Sequence, residues 1–254
     1  MNWFKRKKKK IATAPEDEKK DVIQEQGESD AKERDLSLER MVNIKICEQH
    51  GFTVSKGLPY VKSISLRPKE EIAARLHAIK AMVLWAMVPE DKLPSDVIFN
   101  FIERNDLHEF LTVDEKQIFE TQRDDQELRN SIGWKFENSW PLAWYFGYDS
   151  PQPTGIMMTG EQMQDILANH TCPIDGDVLN WVETKKTEDV EQLIMYEDLF
   201  YCIHNAVRSA QIGGDTIPQG FHPVGNGGVI HERRHALTWM LSKGVDWDNT
   251  DLST

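Results

Sequence analysis

The chain has 254 residues, which is enough for one sizeable domain or two small ones. Its 42 acidic and 30 basic residues give a net charge of -12, so the surface repels nucleic-acid phosphate and we expect no nucleic-acid partner. The three cysteines, Cys47, Cys172 and Cys202, are far apart and form no CxxC pair. This spacing argues against a disulfide framework and a thiolate zinc site, and it favours a reducing cytoplasm.

The first 35 residues differ in composition from the rest. Trp3 and Phe4 precede a basic run over residues 5–10, and the stretch from Ala14 to Asp35 is acidic and polar. We interpret residues 1–35 as a disordered charged leader and residues 36–254 as the folded domain. A second interpretation stays open, in which residues 1–10 make weak contact with an anionic membrane and hold the protein at its inner face.

Apolar residues recur at helical spacing along most of the domain, which predicts a mainly α fold with one multi-helix globular domain. The first helix lies between Asp35 and Gly51, and the clearest signal runs from Pro68 to Pro89. Residues 52–66 contain glycine and proline, which indicates a loop, a short β hairpin or an extended segment. Further helices are predicted over residues 95–104, 159–169, 187–211 and 229–243.

A capping signal marks the middle of the chain. Thr112 and Glu115 have the Ser/Thr-x-x-Glu spacing that satisfies first-turn amides, so a helix should begin there and continue, with a break, to Gly147. Pro141 should kink or restart that helix because proline lacks the amide donor.

The sharpest chemical motif is His231-Glu232-Arg233-Arg234-His235, which has the form H-E-x-x-H on a predicted helix. Two imidazoles four residues apart share a helix face, so they would bind zinc while Glu232 activates a water molecule. Against this alternative, Arg233 and Arg234 would place two cations beside a dication. The third ligand would have to come from the acidic residues that follow the helix, Asp246, Asp248 and Asp251.

The favoured interpretation of the same helix is structural. Its apolar residues bury one face, and its charged residues pair with carboxylates and arginines on other helices. Glu137 lies among tryptophans and needs a cation, for which Arg208, Arg233 and Arg234 are the candidates. The predicted polar network consists of Glu137, Arg208, Glu232, Arg233, Arg234, Asp246 and Asp248.

Tryptophans are concentrated in two places, the segment around Pro141 and the end of the chain. Large aromatic rings bury the most apolar area, so a helix-packing core is favoured over a ligand-stacking platform. We expect the aromatic core to contain Trp134, Trp140, Trp144, Trp239 and Trp247.

Six segments together resemble a bacterial family known as domain of unknown function 4272. They run from about Ile44 to Thr254 and read GFTVSKGLPYV, RPKEEIAARLHAI, LTVDEKQIFE, WKFENSWPLAWYFGY, YEDLFYCIHNAVRSA and GGVIHERRHALTWMLSKGVDWDNTDLST. The resemblance implies a mainly helical domain and brings no activity or cofactor with it. Within the last segment, the residues that resemble the family are Glu232-Arg233, Ala236-Leu237, Trp239 and Asp246-Trp247-Asp248, and the two histidines of the motif stand outside the resemblance.

The leading hypothesis is a non-enzymatic cytoplasmic module that acts through contacts with an unidentified protein partner and needs no cofactor. Two alternatives stay open. One is a zinc-dependent hydrolase that uses His231, Glu232 and His235, and the other is a peripheral membrane protein recruited by its basic N-terminus.

Overall fold

The computed structural model describes residues 36–60, 64–123 and 125–254. The predicted leader and the membrane contact of residues 1–10 lie outside the described residues. The described chain is built from α-helices, which confirms the predicted fold class, and none of these helices is long and apolar enough to cross a membrane. They are α1 (Leu36–Gln49), α2 (Lys69–Met87), α3 (Ser95–Arg104), α4 (Val113–Ile118), α5 (Gln126–Ile132), α6 (Lys135–Tyr145), α7 (Gly160–Asn169), α8 (Val178–Glu183), α9 (Val190–Gln211) and α10 (Gly225–Met240).

Helix α2 lies at the centre because it is apolar on nearly every side. Fourteen of its 19 residues are buried, and it packs against α3, α5, α6 and α8. A helix that is apolar all round must be surrounded by other elements, so α2 organises the packing of the first half of the domain.

Two polar side chains of α2 hold the segment that follows α7. The Nδ1–H of His77 donates to the Ala73 carbonyl (2.7 Å), and its Nε2 accepts from the Cys172 amide (2.7 Å). The Lys80 ammonium donates to the Cys172 carbonyl (2.5 Å) and the Thr171 hydroxyl (2.8 Å). Burial lowers the pKa of His77 to about 3 and that of Lys80 to about 8, because the charged forms lose their hydration.

Local capping signals begin two of the shorter helices. Thr112 and Glu115 form the predicted capping box of α4, with the Glu115 amide 3.2 Å from the Thr112 hydroxyl. Thr159 and Gln162 form a second box at the start of α7. Each box satisfies two amides that the helix leaves without partners, which explains why short helices begin at these residues.

The predicted helix with one break between Thr112 and Gly147 is interrupted twice. This stretch forms three separate helices, α4, α5 and α6, and the last restarts at Lys135 rather than at Pro141. Helix α6 runs through Pro141 because the buried packing of its neighbours outweighs one lost backbone hydrogen bond. Helix α8 was not predicted, since its six residues are too few to show a period.

Residues 52–66 form no hairpin in their described part. The segment is made of turns and irregular backbone, with one parallel β bridge between Ser65 and Ser242. Its glycine and proline prevent a regular strand pair, so the bridge only ties the start of α2 to the end of α10.

Helix α10 begins at Gly225, four residues before the predicted start. Gly227 and Gly228 are helical because they allow close approach: a Cβ at Gly227 would lie 2.6 Å from Val207 of α9. A Cβ at Gly228 would lie 2.6 Å from the Trp134 ring. The glycine-rich sequence predicted a loop, but these glycines belong to α10 and let it pack closely against its neighbours.

Replacing Gly228 with alanine should destabilise the protein by about 1–3 kcal/mol, because the new methyl group overlaps the Trp134 ring. Gly160→Ala is the matched control, since nothing lies within 4 Å of the position that its new methyl group would take and alanine favours helix. Urea unfolding of both variants measures the difference. Equal stabilities would contradict the close approach of α10 to Trp134.

Candidate functional site

Helix α10 carries the HERRH sequence and packs between α6 and α9. Adjacent residues on a helix point in different directions, so Arg233 and Arg234 face different neighbours. Arg233 faces α6, where its Nη2 lies 2.7 Å and its Nε 2.8 Å from Oε2 of Glu137. Both side chains are buried, at 0% and 1% exposure. Of the three arginines considered for Glu137, Arg233 is its partner.

The other polar atoms of this pair are also satisfied. The second carboxylate oxygen of Glu137 accepts from the Met158 amide (2.7 Å), and the guanidinium of Arg233 lies 4.5 Å from the Trp140 ring centre. Such a buried pair is held by hydrogen bonds on every side and fixes α10 against α6. The remaining guanidinium N–H groups donate to the carbonyl oxygens of Gln152, Thr154 and Ile156.

Arg234 faces α9 and is paired more loosely. Its Nε lies 3.6 Å from the Glu197 carboxylate, while its Nη1 bonds to Nδ1 of His204 (2.7 Å) and the Leu252 carbonyl (2.9 Å). Its guanidinium stacks 4.6 Å from the Tyr201 ring centre. Burial raises the pKa of Glu197 and lowers that of Arg234, because desolvation outweighs their attraction at this distance. Arg234 thus joins α9 to the end of the chain.

Three predicted members of the polar network lie elsewhere. Arg208 is exposed, and its Nη1 donates to Gln211 (2.7 Å) on the same helix. Asp246 and Asp248 are also exposed, since the turn after α10 directs only Trp247 inward. These three residues of the predicted polar network therefore lie outside the buried pairs that α10 forms.

The two histidines of the motif have different surroundings. The Nε2–H of His235 donates to the Trp247 carbonyl (2.9 Å), and its ring lies 4.4 Å from the Trp247 ring. His231 lies between His204 and His235, with ring centres 5.3 and 6.2 Å away. No group of three or more histidine, cysteine, aspartate or glutamate side chains in the described residues is arranged to hold a metal ion. The Nε2 atom of His235 is instead engaged with the backbone of the chain end.

Glu232 is half-buried beside α6. Burial raises the pKa of its carboxyl group, and the nearby His231 imidazole, the Asn138 side chain and the Lys135 ammonium act in the opposite direction. The Asn138 amide donates to the Glu232 backbone carbonyl (2.7 Å). The residue therefore belongs to the contact between α10 and α6.

A cleft of about 460 Å³ lies beside the last turn of α10. Its aromatic wall is formed by Trp239 and Trp247, whose ring centres are 5.1 Å apart. Arg67 stacks on Trp239 at 4.1 Å and Arg75 stacks on Trp247 at 3.8 Å. A volume of this size is typical of small-ligand and side-chain pockets.

Both cations of this wall have carboxylate partners within the protein. Arg75 forms a two-pronged pair with the buried Glu115, at 2.6 and 2.8 Å, and Lys135 adds a contact of 2.9 Å to the same carboxylate. These cations lower the pKa of Glu115 to about 2 despite its burial. Arg67 pairs with Glu71 (2.9 Å) and donates to backbone carbonyls at the end of α10.

Three carboxylates at the rim are in a different state. Glu109, Asp246 and Asp248 are exposed and line the cleft. None of these three carboxylates lies within ion-pair distance of a cation that belongs to the described residues. The cleft therefore combines an aromatic wall, whose stacked arginines are paired with carboxylates, with a negatively charged rim.

The predicted aromatic core divides between two regions. Trp140 and Trp144 are buried in α6, where the Trp140 indole donates to the Asp149 carbonyl (2.9 Å). Trp239 and Trp247 are buried beside the cleft, and Trp134 is half-buried against α10. The predicted tryptophans are thus divided between the region around α6 and the end of α10, rather than gathered into one cluster.

The residues on the α2 side of the cleft are not among those that the sequence patterns singled out. Arg75 falls between Ile72 and Ile79 on the apolar stripe of α2. A cation on a stripe predicted to be buried needs a carboxylate, and this signal indicates a partner such as Glu115. The partner itself lies 40 residues away and is identified only by the fold.

These contacts define an all-helical domain, over its described residues, in which buried arginines are paired with carboxylates and stacked on aromatic rings. A family model described as a domain of unknown function (DUF4272) matches residues 40–250, and the chain belongs to this family. Comparisons with curated proteins and with solved structures give no match.

Replacing Arg233 with methionine should destabilise the protein by about 3–5 kcal/mol, because Glu137 would keep a buried charge without a cation. Arg208→Ala is the control and should change stability by less than about 0.5 kcal/mol, since Arg208 is exposed. Chemical denaturation of the two variants tests this. A cost below about 1 kcal/mol for Arg233→Met would show that the pair is not a main contact between α6 and α10.

The histidines predict a pH dependence of stability. Burial lowers the folded-state pKa of His235 from 6.5 to about 4, so the unfolded chain binds protons first as the pH falls. Stability is therefore complete above pH 6.5 and decreases towards pH 4, by at most about 1.4 kcal/mol per pH unit for this residue. His235→Gln keeps a donor for Trp247 and should reduce this slope.

His50→Gln, at an exposed histidine, serves as the control for the pH measurement. Denaturant midpoints between pH 7.5 and 5 give the slopes for the wild type and both variants. Identical slopes for all three would contradict the buried, neutral state of His235.

Proposed function

We propose that the domain is a non-enzymatic module that binds a protein partner, and that its cleft receives a basic side chain of that partner. The observation that carries this proposal is the rim of exposed carboxylates without paired cations, Glu109, Asp246 and Asp248, around the Trp239–Trp247 wall. A cation of the partner is attracted by these carboxylates.

The surroundings of the cleft favour recognition over catalysis. The Thr112 hydroxyl accepts the Glu115 amide as part of the α4 cap, and the Glu115 carboxylate is held by Arg75 and Lys135. These groups are committed to fixing the wall in place. A rigid wall lowers the entropy lost on binding, which suits a docking surface.

The charge of the whole chain supports the same choice of partner. With a net charge of -12, the protein attracts basic surfaces over distances of about 10 Å and repels phosphate groups. The arginines of the cleft do not reverse this preference because Arg67 and Arg75 already have carboxylate partners.

Binding of a fluorescent tetra-arginine peptide to the full chain tests the proposal, with a tetra-glutamate peptide as the control. Asp246→Asn/Asp248→Asn should weaken binding about tenfold or more, because two rim charges are lost at the contact. Fluorescence anisotropy at low and high salt gives the affinities. Glu183→Gln/Glu191→Gln removes the same charge from exposed positions of α8 and α9 and should have little effect.

Two results would overturn this function. One is the absence of measurable binding to the wild type at low salt. The other is an equal loss of affinity in both double variants, which would show a response to total charge rather than to the cleft.

A further inference from the structure

Two cysteine side chains meet at the contact between α1 and α9. Cys47 belongs to α1 and Cys202 to α9, and both are 0% exposed. Their side chains form a hydrogen bond with each other across the two packed helices. Both are free thiols in this structure. Two thiols in contact, supplied by separate segments of the chain, are the starting arrangement for a disulfide bond.

The way in which α1 is held on α9 keeps the two thiols together. In the turns that precede Cys47, the Asp198 carboxylate accepts Nη2 of Arg40 at 2.5 Å and Nε of Arg40 at 2.9 Å. It also accepts the side-chain amide of Asn43 at 2.9 Å. Rotating α1 would remove the partners of this half-enclosed carboxylate, so the helix is fixed with Cys47 towards α9.

We propose that Cys47 and Cys202 form a site of reversible oxidation, at which hydrogen peroxide converts the two thiols into a disulfide that joins α1 to α9. This site is independent of the function assigned to the cleft. The remaining cysteine, Cys172, belongs to a different contact, because its backbone amide and carbonyl are bound by His77 and Lys80 of α2. Cys172 therefore provides an internal control.

The hydrogen bond between the thiols determines which of them reacts first. This hydrogen bond and burial raise the pKa of the Cys47 thiol, so Cys47 keeps its proton at neutral pH and donates it to the sulfur of Cys202. A donated hydrogen bond stabilises a thiolate, and the thiolate is the nucleophile. Cys202 is therefore the first thiol to be oxidised, and Cys47 closes the disulfide.

The reaction takes place in two steps. The Cys202 thiolate attacks one oxygen of the peroxide, so that an S–O bond forms, the O–O bond breaks and the leaving hydroxide takes up a proton to become water. Cys47 then attacks the sulfur of this sulfenic acid, so that the S–S bond forms, the S–O bond breaks and the hydroxide leaves with the proton of Cys47 as water. Overall, the two thiols lose two electrons and two protons, and one hydrogen peroxide is reduced to two water molecules.

Burial determines when the pair reacts. Both sulfurs are enclosed, and a protonated thiol is a poor nucleophile, so oxidation is slow while α1 is packed on α9. Local opening of α1 admits peroxide, which is a small molecule. The disulfide then prevents this opening, because the two helices are joined covalently.

The disulfide should also stabilise the whole domain. It would close a loop of about 155 residues in the unfolded chain, which lowers the entropy of that state. We expect the folding equilibrium constant to rise roughly 30-fold or more on oxidation.

Peroxide treatment of the full chain tests the proposal. The remaining thiols are alkylated in denaturant before digestion with trypsin, which places the three cysteines in separate peptides, residues 46–56, 136–185 and 187–208. The expected product is a link between peptides 46–56 and 187–208 that dithiothreitol releases. Peptide 136–185, which contains Cys172, should remain unlinked.

Single substitutions test the order of the steps. Cys47→Ala should leave a sulfenic acid at Cys202 that dimedone traps, whereas Cys202→Ala should give no such product at Cys47. The matched control Cys172→Ala should form the same linked peptides as the wild type. Sulfenic acid at Cys47 in the Cys202→Ala variant, with none at Cys202 in the Cys47→Ala variant, would contradict the assigned order.

Urea unfolding of the oxidised and reduced chains measures the stabilisation. Oxidation should raise the midpoint of the wild type and of Cys172→Ala, relative to peroxide-treated Cys47→Ala, which corrects for oxidised methionines. The absence of the linked peptide from the peroxide-treated wild type, or a link that includes Cys172, would overturn the proposal. So would a linked wild type whose midpoint equals that of the peroxide-treated Cys47→Ala variant.

Discussion

The structure depends on the pairing of buried arginines with carboxylates. Arg75 with Glu115 and Arg233 with Glu137 are the two most enclosed pairs, at 1% exposure or less. Each guanidinium also stacks on a tryptophan, which adds attraction where water is excluded. Neither member of such a pair is stable alone in the interior, so the helices that supply them must approach in one arrangement.

This constraint also shapes the cleft. The wall is a stack of Arg67, Trp239, Trp247 and Arg75 in this order. Both arginines are paired with carboxylates of the protein. The exposed rim carboxylates are the groups on which the proposed function depends. The same interactions that stabilise the helices thus hold this cleft and its rim in place.

Helix α1 shows the same chemistry with a different consequence. The single carboxylate of Asp198 binds Arg40 and Asn43, and this determines which side of α1 faces inward. Apolar side chains are left outside because the polar contact is more costly to break than the apolar residues are to expose.

The sequence by itself determined the longer helices, because periodicity and caps are local. It predicted α2, the Thr112 capping box and the class of the fold, and it indicated that Glu137 needs an arginine. Only the tertiary structure decided that this arginine is Arg233 and that Arg208 is exposed, since the choice depends on how distant segments approach each other. The start of α10 also depended on the tertiary structure, because the Trp134 ring packs closely against Gly228.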